Sequence, residues 1–184
     1  MDYVLVETEK GRILMAESLQ ESVLEEIELE NQGVVKKVKG HQLEGITTQH
    51  PLYVDRTSLM ITGTHVTDDA GTGCVHTAPD HGVEDFEAGK AYGLTPFGPV
   101  DEKGHLTDKT GEFAGMFYEK ANKEVTKKLD ELGHLFKLSW ITHSYPHDWR
   151  TKKPVIYRAT TQWFASIDSV REDVLREIEK VNWN

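Results

Sequence analysis

The chain has 184 residues, and its 31 Asp and Glu residues outnumber 21 Lys and Arg, giving a formal charge of −10 at pH 7. This balance argues against an extended nucleic-acid surface, which needs clustered Lys and Arg, so we expect any RNA contact to be local. One cysteine excludes an internal disulfide framework, and no apolar run approaches the roughly 20 residues of a membrane helix, so we expect a cytoplasmic domain without membrane contact.

The first elements predicted along the chain are the two strands of a hairpin. Residues 3–7 and 12–16 are rich in apolar side chains and flank Glu9-Lys10-Gly11, a sequence typical of a turn. Because a strand begins almost at Met1, we expect the chain to be a piece of a longer protein. Further strands are predicted at 34–38, 59–62 and 135–138.

Helices are predicted where apolar residues recur at helical spacing, near 18–29, from Val83, over 121–132 and over 167–181. The first follows a capping-box pattern, in which Ser18 is followed three residues later by Glu21. The third stops at Gly133, a residue type common at helix C-termini. Many short strands with scattered helices, and no regular alternation of the two, favour an α+β, barrel-like fold over a doubly wound sheet.

Residues 71–85 hold the highest density of groups typical of a functional site. The sequence GTGCVHTAPDHGVED contains three glycines, two histidines and three carboxylates. Glycine lets the backbone approach a ligand, and binding groups concentrate in loops on a rigid scaffold. Asp85 is predicted in the first helical turn, directed back at the loop, and Cys74 and His76 on one side of a short strand. Taken alone, the same residues are explained equally well without a functional site, with Asp85 as a helix-start carboxylate and the glycines in ordinary turns.

Two separate motifs resemble one enzyme family. Residues 71–85 resemble the signature GTG-x-VHTAP-x-HG-x-x-D of the editing domain inserted in isoleucyl-tRNA synthetases, which has relatives in the valyl and leucyl enzymes. Residues 143–164, with HSYPHDWR, KP, RAT and QWF, resemble the segment leading from that insert back to the catalytic domain. The resemblance implies a split β-barrel editing domain with peripheral helices over 1–140. It also implies a connector over 141–184 that ends in an amphipathic helix.

The activity that this resemblance implies is hydrolytic editing of valine wrongly attached to tRNA(Ile). One methylene changes the binding free energy in an apolar pocket by only about 1–3 kcal/mol, and this enzyme class is itself the standard example of that limit. A second selection step is therefore needed to separate valine from isoleucine. The implied partners are the tRNA(Ile) acceptor end and the rest of the synthetase chain. Attachment of isoleucine, with ATP and Mg, is implied for the whole synthetase and not for these residues, for which no cofactor is expected.

The site residues are carried over position by position. Asp85 matches the aspartate that binds the α-ammonium group of the substrate, and a carboxylate suits that role because charge-assisted hydrogen bonds are strong. His76 matches the histidine that lines the side-chain pocket. Imidazole also suits general base catalysis, but we favour a steric role for His76. The other substrate-binding residues implied are Gly73, Thr77, Asp80 and His81.

The chain departs from the family pattern in three places. Asp80 stands where glycine is usual, and Thr161 stands where proline is common. The threonine-rich strand that precedes the barrel in these synthetases is missing, because Thr47-Thr48 is followed by Gln49-His50-Pro51 and does not match it. The resemblance therefore implies that the isolated chain is weakly active or inactive.

Two alternatives to an editing domain within a synthetase stay open. The first is a noncatalytic module that holds the tRNA acceptor end through Arg150, Lys152 and Lys153, which aromatic residues flank, although a solvated face also explains this basic cluster. The second is a free-standing deacylase, which the connector-like end of the chain disfavours. His76, His81 and Asp85 offer three potential zinc ligands, but their spacing does not match a metalloprotease helix, so no metal is expected.

Overall fold

The computed structural model describes residues 1–182 and contains short antiparallel strands with helices between them. The strands are β1 (Asp2–Thr8), β2 (Gly11–Ala16), β3 (Gly33–Lys39), β4 (Thr47–Gln49) and β5 (Thr57–Leu59). The α-helices are α1 (Gln20–Glu26), α2 (Val83–Ala91), α3 (Tyr118–Glu131) and α4 (Arg171–Ile178). Short 3₁₀ turns occupy Glu17–Leu19, Gly40–Gln42, Asp108–Phe113 and Asp168–Val170.

The larger sheet has three antiparallel strands with β1 in the centre, in the order β2-β1-β3. Thr8 pairs with Gly11 at the closed end of the hairpin, which confirms the predicted β1–β2 turn. Gly11 adopts φ +104°, a conformation that favours glycine, and Thr8 Oγ1 donates to its carbonyl oxygen at 2.7 Å. The β1–β3 pairing contains a register shift between Leu5 and Val6.

The main core lies between this sheet and α1. Val4, Val6 and Met15 are completely buried, and burying each such side chain contributes about 1.5–3 kcal/mol. Val23 and Leu24 of α1 cover them from the helix side. The rest of the core cluster consists of Tyr3, Ala16, Leu19 and Leu29. The sheet and the helix thus form a packed platform from residues 1–39.

The second sheet consists of β4 and β5 in the described part of the chain, and the residues of both strands are exposed. The α+β class with antiparallel sheets is therefore confirmed. Within residues 1–182 the two sheets stay separate and do not close into a barrel. The strand predicted at 59–62 is observed upstream, at Thr57–Leu59. The Met60 N–H donates to the Ile46 carbonyl oxygen, but both residues lie outside the paired strands.

Three local predictions were wrong. Ser18 does not cap α1, because its Oγ donates to Asp68 Oδ2 at 3.0 Å and the helix begins only at Gln20. Residues 135–138 form no strand, since they are exposed or half-buried and lie in neither sheet. Residues 74–77 also lie in neither sheet, so the strand expected to put Cys74 and His76 on one side does not form. Strand propensity needs a partner strand, which these segments lack.

The other helix predictions are confirmed. α2 starts at Val83 as expected, and α3 ends at Glu131, with Leu132 as its C-cap before Gly133, which adopts φ +70°. α4 occupies the predicted terminal helix but is shorter than expected. None of the helices in residues 1–182 is both long enough and apolar enough to cross a membrane.

Candidate functional site

The beginning of the 71–85 loop is fixed against the larger sheet. The Ala16 N–H donates to the Thr72 carbonyl oxygen at 2.8 Å, and the Tyr3 hydroxyl donates to the Gly73 carbonyl oxygen at 2.7 Å. Gly73 is buried and adopts φ +74°, and a Cβ added there would lie 2.7 Å from the Ala16 Cβ. Glycine is therefore required at this position both by backbone conformation and by space.

The end of the loop is fixed by Asp85 in the first turn of α2. The Ala78 N–H donates to Asp85 Oδ2 at 3.0 Å, so the half-buried carboxylate is directed back at the loop, as predicted. Gly82 is the N-cap, and a Cβ added to it would lie 3.2 Å from Asp85 Oδ2. On the next helical turn, a Cβ at Gly89 would lie 2.7 Å from the Pro79 ring. The loop therefore packs closely onto the helix that follows it.

Asp80 is 7% exposed and its carboxylate accepts the Gly98 N–H. Its carbonyl oxygen accepts the Ala159 N–H at 2.9 Å. One carboxylate oxygen is therefore engaged with the backbone near Phe97. The substrate-binding role implied for Asp80 stays a prediction, while the structure gives this side chain a bracing contact.

His81 connects the two motifs that were recognised separately in the sequence. Its Nδ1 lies 2.9 Å from the Tyr157 carbonyl oxygen and donates to it, which leaves Nε2 as an acceptor in the neutral ring. Nearby, Arg158 Nε donates to the Val100 carbonyl oxygen at 2.9 Å. Residues 157–159 thus run beside the end of the loop, a proximity that sequence spacing did not indicate.

His81 also borders an open groove of about 510 Å³. The groove lies against α3, whose Ala121 and Val125 line it together with Val100 and Leu106. Neither His76 nor Asp85 lines this groove. This groove therefore lies beside the candidate site and does not contain the two residues predicted to be catalytic, Asp85 and His76.

The middle of the loop, residues 74–76, is exposed to solvent, and Thr77 is half-buried. The residue that sequence reasoning missed is His50, which lies near enough for the charge of His76 to act on it. His50 Nδ1 accepts the N–H groups of Leu52 at 3.1 Å and Tyr53 at 3.2 Å. Burial lowers the pKa of His50, and the charges of Arg56 and His76 lower that pKa further.

The basic cluster at 150–153 forms a turn of its own. Asp148 organises it by accepting the Thr151 N–H and hydroxyl, and these bonds lower the pKa of the Asp148 carboxyl group. The Arg150 guanidinium lies 4.8 Å from the ring centroid of Trp149, which is 71% exposed. No hydrogen bond joins this turn to residues 71–85 in the part of the chain that the structure describes.

The three potential zinc ligands are not brought together. Among residues 1–182, no group of three His, Cys, Asp or Glu side chains is placed to hold a metal ion. Asp85 instead bonds to Ala78, and His81 bonds to Tyr157. The arrangement offers a fixed carboxylate beside an exposed loop, which suits recognition of a cationic amine.

Comparison with known proteins gives one family match and several relatives with high sequence identity. Residues 8–184 match the family described as tRNA synthetases class I (I, L, M and V). The chain is 55% identical over 183 residues to the isoleucine--tRNA ligases of Geobacillus thermodenitrificans (strain NG80-2) and Geobacillus kaustophilus (strain HTA426). It is 54% identical to that of Bacillus cereus (strain 03BB102). Each match covers 100% of this chain and 20% of the relative, so the chain spans about one fifth of their length.

Proposed function

This chain belongs to the class I tRNA synthetases (I, L, M and V), and we propose that it is the editing segment of an isoleucine-specific member. In this proposal it hydrolyses the ester of valine wrongly attached to tRNA(Ile). The observation that carries the proposal is the position of the Asp85 carboxylate, which Ala78 holds at the junction of the loop and α2. The identity to isoleucine--tRNA ligases supports the choice of amino acid.

Asp85 has the chemistry and the placement to bind the α-ammonium group of an aminoacyl ester. Oδ2 is already fixed by the Ala78 N–H, which orients the carboxylate before substrate arrives. A cationic amine bound to this carboxylate gains a charge-assisted hydrogen bond of about 1.5–3 kcal/mol. Because orientation of the ester depends on that contact, loss of Asp85 affects both binding and hydrolysis.

His76 is proposed to limit the size of the side chain that enters. It lies in the exposed middle of the loop, between the part anchored to the sheet and the part anchored to α2. An imidazole beside the amino acid side chain excludes the extra methylene of isoleucine by steric contact. Discrimination by one methylene is weak in a single pocket, so exclusion at a second site multiplies the selectivity.

The rest of the synthetase is proposed to complete the editing domain. β4 and β5 form an isolated pair with every residue exposed, and two strands alone are marginally stable in water. We propose that a further strand of the synthetase extends this pair into the split barrel. The ATP- and Mg-dependent attachment of isoleucine is assigned to other parts of that protein.

The apolar face of α4 is proposed to pack on the same remainder of the synthetase. Its side chains Val174, Leu175 and Ile178 are exposed, and so are Ile167 and Val170 just before them. A contiguous apolar surface of this kind marks an interaction site. Because the chain spans one fifth of its relatives, the remaining chain is the partner available for this surface.

One observation favours the alternative of a noncatalytic tRNA-binding module. Trp149 and Arg150 form an exposed stacked pair on a turn that also presents Lys152 and Lys153. Stacked aromatic and cationic groups of this type bind unpaired bases of RNA. In that case Asp85 serves only to fix the loop, and its replacement leaves deacylation unchanged.

The deciding experiment compares deacylation of valyl-tRNA(Ile) and isoleucyl-tRNA(Ile) by the complete synthetase. Asp85→Ala is expected to reduce hydrolysis of the valyl ester by about 10- to 100-fold, because a charge-assisted contact is lost. Glu84→Ala is the matched control, since Glu84 is an exposed carboxylate in the same helical turn. Equal rates for the wild type and Asp85→Ala would transfer our support to the binding module.

The same assay on the isolated 184-residue chain tests whether the threonine-rich strand and other parts of the synthetase are needed for hydrolysis. Hydrolysis by the complete synthetase alone would show that other segments complete the site. Hydrolysis by both proteins would show that the described loop suffices. Cleavage of the isoleucyl ester at the same rate as the valyl ester would contradict the editing proposal.

A further inference from the structure

A cluster of two cations around one aromatic ring lies beside the candidate site. The Arg56 guanidinium lies 4.2 Å from the ring centroid of Phe97 and 4.6 Å from that of Tyr53. Lys109 Nζ lies 5.6 Å from the Phe97 centroid and donates to the Phe97 carbonyl oxygen at 2.6 Å. Two positive charges therefore converge on Phe97 in a chain whose formal charge is −10.

The Arg56 side chain is held rigidly in this cluster. Its Nη2 donates to the Lys109 carbonyl oxygen at 2.9 Å, while its Cζ lies over the rings of both Tyr53 and Phe97. The Tyr53 hydroxyl donates to the Thr110 carbonyl oxygen at 2.9 Å and ties the same two segments together. A planar guanidinium fixed by stacking keeps its remaining donors oriented, which is the arrangement suited to phosphate oxygens.

Neither Arg56 nor Lys109 has a carboxylate within salt-bridge distance among residues 1–182. The nearby acidic groups are Asp55, whose charge acts on His50, and Glu112, which pairs with Lys128 at 3.3 Å. The cluster therefore presents a net positive charge to solvent.

One hydrogen bond places the cluster next to the 71–85 loop. Gly98 follows Phe97 directly and donates its N–H to the buried Asp80 carboxylate. On the other side of the cluster, the His50 ring packs on Tyr53, with 5.0 Å between the ring centroids. The cationic cluster therefore lies beside the part of the loop that contains Asp80.

We propose that Arg56 and Lys109 bind a phosphodiester group near the 3′ end of the RNA substrate. The proposal rests on the editing function proposed above, because the ester lies on the terminal nucleoside and the phosphodiester that precedes it is the nearest anion. The Arg56 guanidinium donates hydrogen bonds to the phosphate oxygens, and Lys109 adds a second positive charge. The cluster thus orients the RNA end, while Asp85 binds the amino group.

The salt dependence of KM for valyl-tRNA(Ile) tests this site in the complete synthetase. A protein that contacts single-stranded phosphates loses affinity as salt rises, with a log–log slope of about 0.7 per contact. Arg56→Gln and Lys109→Gln are each expected to raise KM about tenfold at low salt and to reduce the slope by about 0.7. Lys109→Gln alters an exposed side chain, so it remains informative if Arg56→Gln disturbs the fold.

Two further variants separate charge from structure. Arg56→Lys keeps the charge and is expected to retain the wild-type slope, although its KM rises because the stacked fork is lost. Lys10→Gln removes a cation from the β1–β2 turn, at the end of the hairpin opposite the loop contact at Ala16, and is expected to change neither quantity.

The outcomes distinguish an error in the phosphate-site proposal from an error in the editing proposal. An increase in KM without a change in slope would identify Arg56 as a structural brace, and unchanged KM values would remove the site altogether. In both cases Asp85→Ala would still reduce hydrolysis of the valyl ester by about 10- to 100-fold. Inorganic phosphate is the second anion to test: competitive inhibition of the wild type at millimolar concentration would assign the cluster to free phosphate instead. If wild-type protein fails to deacylate valyl-tRNA(Ile), the editing proposal itself is wrong.

Discussion

Replacement of Gly73 by alanine is expected to destabilise the chain more than the same change at Gly71. Both glycines lie in the left-handed region, at φ +74° and +64°, where an L-residue costs about 1–2 kcal/mol. A Cβ at Gly73 also meets the Ala16 Cβ at 2.7 Å, whereas a Cβ at Gly71 has no atom within 4 Å. Overpacking of this kind costs about 1–3 kcal/mol more.

The total expected loss is therefore about 2–5 kcal/mol for Gly73→Ala and about 1–2 kcal/mol for Gly71→Ala. The gain of about 0.4–1 kcal/mol from a less flexible unfolded chain is common to both variants and cancels in their difference. Urea denaturation followed by circular dichroism measures both, with the m-value as a check that the same transition is compared. Equal losses of unfolding free energy would refute the close approach of the loop to β2.

Three further predictions concern groups around the loop. Tyr3→Phe removes the hydroxyl that donates to the Gly73 carbonyl oxygen, and we expect it to lower the free energy of unfolding by about 1 kcal/mol in the same denaturation assay. His76→Ala removes the proposed steric wall, so isoleucyl-tRNA(Ile) is expected to become a substrate; full protection of that ester in a deacylation assay would disprove the steric role. Because the pKa of His50 is lowered in the folded chain, the unfolded chain binds more protons as the pH falls. The contribution of His50 to the free energy of unfolding is therefore complete above about pH 6.5 and is lost as the pH falls toward the folded-state pKa. His50→Asn keeps a side-chain acceptor without titrating, and denaturation midpoints measured between pH 7 and 5 are expected to fall less steeply in this variant.

The elements predicted well from the sequence were those with a strong local pattern. The hairpin β1–β2 has apolar strands on both sides of a glycine turn, and α3 has an apolar stripe with a glycine after its end. The position of Asp85 was predicted for the same reason, since the loop glycines and the following apolar residues define where α2 begins. Such signals are carried by neighbouring residues, so they need no knowledge of the tertiary fold.

The errors arose where a distant partner decides the outcome. Ser18 has the composition of a helix cap, but Asp68, fifty residues away, takes its hydroxyl. Residues 135–138 have strand composition but no strand beside them, and Lys137 pairs with Glu28 instead. His50 was missed as a neighbour of His76 because their proximity depends on how two loops fold together. Tertiary contacts of this kind leave no periodic signal in the sequence.

The anchors of the 71–85 loop determine which part of it is able to meet a substrate. Its start is bonded to the larger sheet through Thr72 and Gly73, and its end is bonded to α2 and residues 157–159. Each anchor engages backbone groups, so those groups are not available to a ligand. The exposed span is residues 74–76, which lies between the anchors with His50 nearby. A substrate at this span meets a short exposed segment with fixed ends, and that geometry favours recognition by shape over adaptation of the loop.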